Sequence, residues 1–135
     1  MDKNVILCVD DEKMILDSLK AQLKERYGNS FSYETAENAT EALEVIDELM
    51  VDNIKIVIIV SDWLMPGIKG DEFLIQVHKK FPGIVKIMLT GQADSEAIER
   101  SKKEANLFKC IAKPWTEAEL IDTINSGLLN NGNAK

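Results

Sequence analysis

Three acidic residues follow two unbroken apolar runs of this chain. Asp10 and Asp11 come directly after Val5–Val9, and Asp62 follows the run at residues 56–60. If both runs are neighbouring parallel strands, their carboxyl ends bring three carboxylates into one small space. Like charges at that distance repel strongly unless a cation neutralises them. Because carboxylate oxygens are hard ligands, the pattern predicts a site for Mg²⁺ or Mn²⁺.

Two further polar residues lie at the ends of later strand-like runs. Thr90 ends the run at residues 85–90, and Lys113 follows the run at residues 107–112. Ligands of open α/β sheets bind beyond the carboxyl ends of the strands. A threonine hydroxyl and a lysine ammonium both suit phosphoryl oxygens. A carboxylate can itself be the nucleophile in phosphoryl transfer when a metal and a lysine neutralise the incoming anion, so the set suits an aspartyl phosphate.

The rest of the sequence supplies the elements that position these residues. Apolar patterns predict strands at residues 5–9, 31–35, 56–61, 85–90 and 107–112. Apolar residues at helical spacing predict a helix after each strand: residues 14–27, a second capped by Asn38, a third ended at residues 81–83, a fourth at residues 94–104 and a fifth capped by Thr116. This alternation is typical of a parallel sheet covered on both faces.

The predicted fold class is α/β, with five parallel strands in the flavodoxin-like order 2-1-3-4-5 and helices on both faces. In this order the first and third strands are adjacent, which would bring Asp10, Asp11 and Asp62 together. Cys8 and Cys110 would lie on strands separated by two others, too far apart for a disulfide.

Composition indicates one soluble globular domain. The chain has 135 residues, of which 45% are hydrophobic and 29% charged. We expect the domain at residues 1–129, and a polar tail or the start of a linker at residues 130–135. The net charge of −7 argues against direct nucleic-acid binding and against an anionic membrane surface. No apolar stretch reaches the roughly 18–20 residues of a membrane span and no secretory signal is visible, so a cytoplasmic location is expected.

In the order in which they occur, these motifs resemble the receiver domains of two-component response regulators. The resemblance covers about residues 3–129. It rests on four segments: Asp10-Asp11-Glu12, residues 61–67 with Gly70 beyond, Leu89-Thr90-Gly91, and Lys113-Pro114-Trp115.

The resemblance implies a phosphorylation switch at Asp62. This residue would take a phosphoryl group from a sensor histidine kinase or a histidine phosphotransfer protein, while Thr90 and Lys113 hold the phosphoryl oxygens. Magnesium would be held by the carboxylates of Asp10, Asp11 and Asp62 and by the backbone carbonyl of Leu64. Such a domain catalyses only its own phosphorylation and slow dephosphorylation, so it is not an enzyme in the usual sense. A cis peptide is also implied between Lys113 and Pro114.

Phosphorylation would alter the surface formed by the fourth helix, fifth strand and fifth helix. Receivers usually carry an aromatic residue three positions before the lysine, and here that position is Cys110. A thiol is too small to swing between buried and exposed sites as a ring does. We therefore expect signalling through backbone shifts of residues 90–94 or through formation of a homodimer.

Each of these residues alone is also compatible with a simpler role. Asp10 and Asp11 taken alone are compatible with a simple helix cap, Thr90 with a strand end and Lys113 with a solvated charge. A flavin or dinucleotide site would need a phosphate-binding loop rich in Gly, Ser or Thr after the first strand, where this chain has acids. The remaining rival is a receiver-like module that binds partners without being phosphorylated. The chain is either a stand-alone shuttle or part of a longer regulator with an output domain.

Overall fold

The computed structural model describes residues 3–91 and 95–133 of the chain. Within this part, the strands are β1 (Val5–Val9), β2 (Ser32–Ala36), β3 (Ile56–Asp62), β4 (Val85–Thr90) and β5 (Lys109–Ala112). The helices are α1 (Lys13–Tyr27), α2 (Ala39–Val51), α3 (Gly70–Lys80), α4 (Ser95–Glu104) and α5 (Glu117–Asn133). A short 3₁₀ turn, Gly28–Ser30, follows α1.

The five described strands form one parallel sheet in the order β2-β1-β3-β4-β5, which confirms the predicted topology. β1 and β3 are neighbours, and Val9 pairs with Ser61 at their carboxyl ends. Asp10 and Asp62 each come one residue later, so the register places them side by side.

Helices cover both faces of this sheet, which explains why β1 and β3 have no polar alternation. All residues of both strands are buried. On one face, α1 and α5 bury leucine and isoleucine side chains against β1, β3 and β4. On the other face, α2 and α3 form a second apolar layer around Phe73.

Several boundaries differ from the prediction. β2 lies one residue later than expected, and β5 begins at Lys109, two residues later than expected. The amide of Leu107 donates to the carbonyl of Ser101 in α4 at 3.1 Å instead of to a strand. α5 continues through Asn133, into the segment expected as a tail. Asp94, the expected start of the fourth helix, lies outside the described residues.

Candidate functional site

Two of the three predicted acids are buried at the carboxyl edge of the sheet. Asp10 is fully buried and Asp62 is 5% exposed, whereas Asp11 is exposed. Two hydrogen bonds fix Asp10 in place. Its amide donates to the carbonyl of Ala36, and its carboxylate accepts from the amide of Glu12 at 2.9 Å. One carboxylate oxygen from each acid lies within 4.8 Å of the others. The fold thus brings the three acids together, as the strand order predicts.

Lys113 reaches across this cluster from the end of β5. Its Nζ atom lies 2.9 Å from Oδ2 of Asp10 and 3.0 Å from Oδ1 of Asp62. Three carboxylates and this one ammonium leave a net charge of −2. A divalent cation would neutralise that charge, and the ligands offered are the hard oxygens that Mg²⁺ or Mn²⁺ prefers. The residues present therefore fit a divalent metal.

Burial shifts the pKa values within this cluster. Burial raises the pKa of the Asp62 carboxyl, the hydrogen bond from Lys113 opposes that rise, and the Asp10 charge adds to it. For Lys113, burial lowers the pKa, but the hydrogen bonds to Asp10 and Asp62 outweigh burial and raise it. Lys113 therefore stays charged at neutral pH, and a further positive charge near Asp62 would stabilise its ionised form.

The segment after Asp62 is held against the site by Gly70. The Gly70 amide donates to the carbonyl of Trp63 at 2.7 Å, and the Trp63 amide donates to Leu89 at 2.9 Å. A Cβ atom at position 70 would lie 2.2 Å from the carbonyl oxygen of Asp62 and 2.8 Å from Cα of Trp63. Only glycine permits this approach, which closes the loop between β3 and α3.

This loop forms one wall of an open cavity of about 620 Å³ at the acid cluster. Its lining includes Leu64, 56% exposed, together with Asp11, Asp62 and Lys113. The predicted carbonyl ligand of the metal therefore lies on a residue of the same cavity. Glu12 and Met65 also line it, although the motif spacing assigned neither a role.

Thr90 and Lys113 are joined through the backbone. Thr90 is the last residue of β4, partly buried, and its carbonyl accepts from the amide of Lys113 at 2.9 Å. The peptide between Lys113 and Pro114 is cis, as the resemblance implies. The three acids and Lys113 thus meet at one edge of the sheet, and Thr90 ends β4 at the same edge.

Sequence reasoning missed a contact that anchors the lysine segment. The indole Nε1 of Trp115 donates to Oε1 of Gln22 in α1 at 2.9 Å, which ties the segment that follows Lys113 to the first helix. These two residues are 93 positions apart, and no local pattern links them. A second missed contact lies within the loop between β3 and α3, where Nζ of Lys69 lies 5.1 Å from the centre of the Trp63 ring.

Cys110 lies away from the acids. It is a partly buried residue of β5 that pairs with Met88 of β4, and it packs at the margin of the α2–α3 core. Its thiol is free, and burial raises its pKa. The structure thus places a small, protonated side chain where receivers usually carry an aromatic ring.

Comparison with known proteins assigns the fold and the site to one family. Residues 6–125 match the model of the response regulator receiver domain. The hydrogenase transcriptional regulatory protein HoxA of Cupriavidus necator is 36% identical over 123 residues, which are 91% of this chain and 24% of that protein. This chain therefore spans about a quarter of the length of that regulator.

Two solved structures of receiver domains superpose closely. A CheY-like receiver from Methanospirillum hungatei JF-1 has 31% identity and a TM-score of 0.85, covering 99% of this chain and 100% of that one. The beryllofluoride-activated NtrC4 receiver domain, solved as a dimer, has 28% identity and a TM-score of 0.81, covering 94% and 98%. With the family model matched over most of its length and the acid cluster in place, the chain belongs to the receiver domains of two-component response regulators.

Proposed function

We propose that Asp62 is the phosphoacceptor of this receiver domain. The observation that supports the proposal is the position of the Asp62 carboxylate, at the carboxyl end of β3 and 3.0 Å from the Lys113 ammonium. Asp10 is buried more deeply and is occupied by the amide of Glu12 and by Lys113. Asp11 is exposed and follows β1 without such a partner among the described residues. Asp62 is therefore the acid that is both fixed and open to the cavity.

The metal ligands in this proposal are the carboxylates of Asp10, Asp11 and Asp62 and the backbone carbonyl of Leu64. When bound, Mg²⁺ supplies the positive charge that lets an anionic phosphoryl group approach three carboxylates. The fully buried Asp10 would contribute charge directly or through a water molecule.

The reaction is an in-line transfer from a phosphohistidine. A carboxylate oxygen of Asp62 attacks phosphorus and forms a P–O bond while the P–N bond of the donor breaks. The imidazole nitrogen keeps the bonding electron pair and takes up a proton from solvent. Lys113 exchanges its contact with Asp62 for one with a phosphoryl oxygen, and the Thr90 hydroxyl donates to another. The aspartyl phosphate is then hydrolysed slowly, and the domain needs no other substrate.

The phosphodonor in this proposal is a sensor histidine kinase or a histidine phosphotransfer protein. HoxA, a transcriptional regulator, is about four times as long as the matched segment, which supports an output domain outside the receiver. Any nucleic-acid binding would belong to that output, since this chain carries a net charge of −7. The dimer formed by the activated NtrC4 receiver supports a homodimer as the active form.

Phosphorylation would act on the surface made by α4, β5 and α5. With Cys110 in place of a ring, the proposed signal runs through the backbone after Thr90 or through dimerisation. Residues 92–94 of that segment lie outside the described part of the chain. The Thr90 carbonyl, bonded to the amide of Lys113, gives the segment after β4 a direct connection to the site.

Acetyl phosphate with Mg²⁺ tests the assignment. We expect intact-protein mass spectrometry to show a gain of one phosphoryl group. The gain should be absent when the reaction is run with EDTA, and absent in Asp62→Asn because the nucleophile is gone. Asp17→Asn, which removes an exposed acid of α1, is the matched control and should be phosphorylated like the parent. Absence of any gain in the parent protein would favour a binding module that is not phosphorylated.

A further inference from the structure

A second cavity, of about 610 Å³, lies at the amino-terminal edge of the sheet, opposite the acid cluster. It is formed by the end of α2, the connection that leads into β3 and the connection that leads into β4. Its apolar lining consists of Met50, Ile54, Ile56, Phe81, Pro82 and Ile84. Its size lies within the roughly 300–1,000 Å³ that is usual for small-molecule sites.

Three backbone amides beside this cavity already have partners within the fold. Ile54 donates to Leu49 at 2.9 Å, Phe81 to Val77 at 2.7 Å, and Ile84 to Phe81 at 3.2 Å. These three residues therefore offer a ligand their hydrophobic side chains and not their amides.

Among the described residues, two lysines, Lys55 and Lys80, line the cavity and no acid does. Both are exposed, and within the described part of the chain neither ammonium is paired with a carboxylate. The chain as a whole has 23 acidic and 16 basic residues. A cavity whose charged lining is basic is therefore unlike the rest of this acidic protein. Lys80 lies in the last turn of α3, where a cation stabilises the helix end. Lys55 belongs to no helix, so that effect does not explain it.

We propose that this cavity binds a small amphipathic organic anion. Its apolar body would contact Ile54, Phe81 and Ile84, and its anionic group would meet the ammonium groups of Lys55 and Lys80. Removal of apolar surface from water favours such binding, and the charge-assisted hydrogen bonds select an anion over a neutral molecule of equal length.

Decanoate is a suitable probe, with decanol as its neutral counterpart. Titration of the isotope-labelled chain with decanoate, followed by NMR, should shift the amides of Ile54, Phe81 and Ile84 and leave the acid cluster unchanged. Replacing both ammonium groups, in Lys55→Gln/Lys80→Gln, should weaken decanoate binding by about tenfold or more, because two charge-assisted contacts are lost. Decanol should bind the parent and this variant equally and weakly.

Lys24→Gln/Lys109→Gln is the matched control, since it removes two exposed lysines from other parts of the surface. It should bind decanoate as the parent does, and so should Asp62→Asn, which separates this site from phosphorylation. The proposal is overturned if decanol binds as tightly as decanoate, if the shifts map elsewhere, or if Lys55→Gln/Lys80→Gln leaves affinity unchanged. A protein dimer whose interface shifts fall on the same three amides would overturn it too, in favour of self-association.

Discussion

Helix α5 packs on an apolar face of the sheet, whereas the face next to α4 contains a buried lysine. Leu120 and Ile124 of α5 are fully buried among isoleucines and leucines of the strands. On the opposite face, Lys86 of β4 is 1% exposed, and its Nζ donates to the carbonyl of Ile84 at 2.6 Å. The same strand thus presents Ile87 to one layer and an ammonium group to the other.

The helices differ in the same way. The buried residues recorded for α4 are Ala97 and Ser101, both small, and the Ser101 hydroxyl bonds within the helix to the carbonyl of Ala97. Because apolar burial supplies most of the energy that docks a helix, α4 is held less firmly than α5. Elements that move in switches are drawn from the less stable parts of a fold. This contrast supports α4 as the part of the output surface that responds to phosphorylation.

The same substitution in both helices tests this comparison most strongly. Ile124→Ala should lower the free energy of unfolding by about 2–5 kcal/mol, because it leaves a cavity in the core. Ile98→Ala, in the partly buried face of α4, should cost about 1 kcal/mol or less. Urea denaturation followed by circular dichroism measures both values. Equal losses for the two variants would mean that α4 is packed as firmly as α5.

Replacing the buried lysine should have the next largest effect. Burial lowers the pKa of Lys86 to about 8 from its ordinary 10.5. We expect Lys86→Met to raise the free energy of unfolding by about 1–4 kcal/mol at neutral pH, since a buried ammonium group is replaced by apolar packing. Chemical denaturation of the two proteins gives the difference.

The lowered pKa of Lys86 also predicts how the stability difference between Lys86→Met and the parent changes with pH. Between pH 8 and 10.5 the unfolded parent holds the Lys86 proton more tightly than the folded one, so folding of the parent becomes more favourable as pH rises. The advantage of Lys86→Met should therefore narrow across this window. His78, the neighbour on α3 whose own pKa is lowered by burial and by Lys86, is already neutral there. An advantage that stayed constant with pH would contradict a buried ammonium.

Much of the fold could be predicted from the sequence because its three interior strands, β1, β3 and β4, are buried on both faces. Their continuous apolar runs separate them from helices, and the predicted caps Asn38 and Thr116 accept from the amides of Glu41 at 2.8 Å and Glu119 at 3.1 Å. The gathering of the acids then follows from topology, since only adjacent first and third strands bring Asp62 beside Asp10.

Side-chain contacts between distant elements could not be predicted in this way. A lysine within a strand normally indicates an exposed position, yet β4 is an interior strand and Lys86 is buried. The bridging position of Lys113 between two acids, and the ion pair between Asp71 and Arg100, depend on how helices pack on the sheet. The spacing of hydrophobic residues predicts which face of a helix or strand is buried. It does not predict which polar atoms of different elements come into contact.

The smallest expected effect concerns the tie between α3 and α4. Arg100 of α4 lies 3.5 Å from Asp71 at the start of α3, one residue after Gly70, which closes the loop between β3 and α3. Arg100→Ala and Asp71→Asn should each lower the free energy of unfolding by only about 0.2–1 kcal/mol, as is usual for a partly exposed pair. Hydrogen exchange should nevertheless become faster across α4 while α5 is unchanged, because the lost contact joins α4 to α3 and does not involve α5. Lys102→Ala is the control, since it removes an ion pair with Glu99 within α4 and no tie to α3. If that variant speeds exchange as much as the other two, ion pairs within α4 and not its tie to α3 govern the stability of α4.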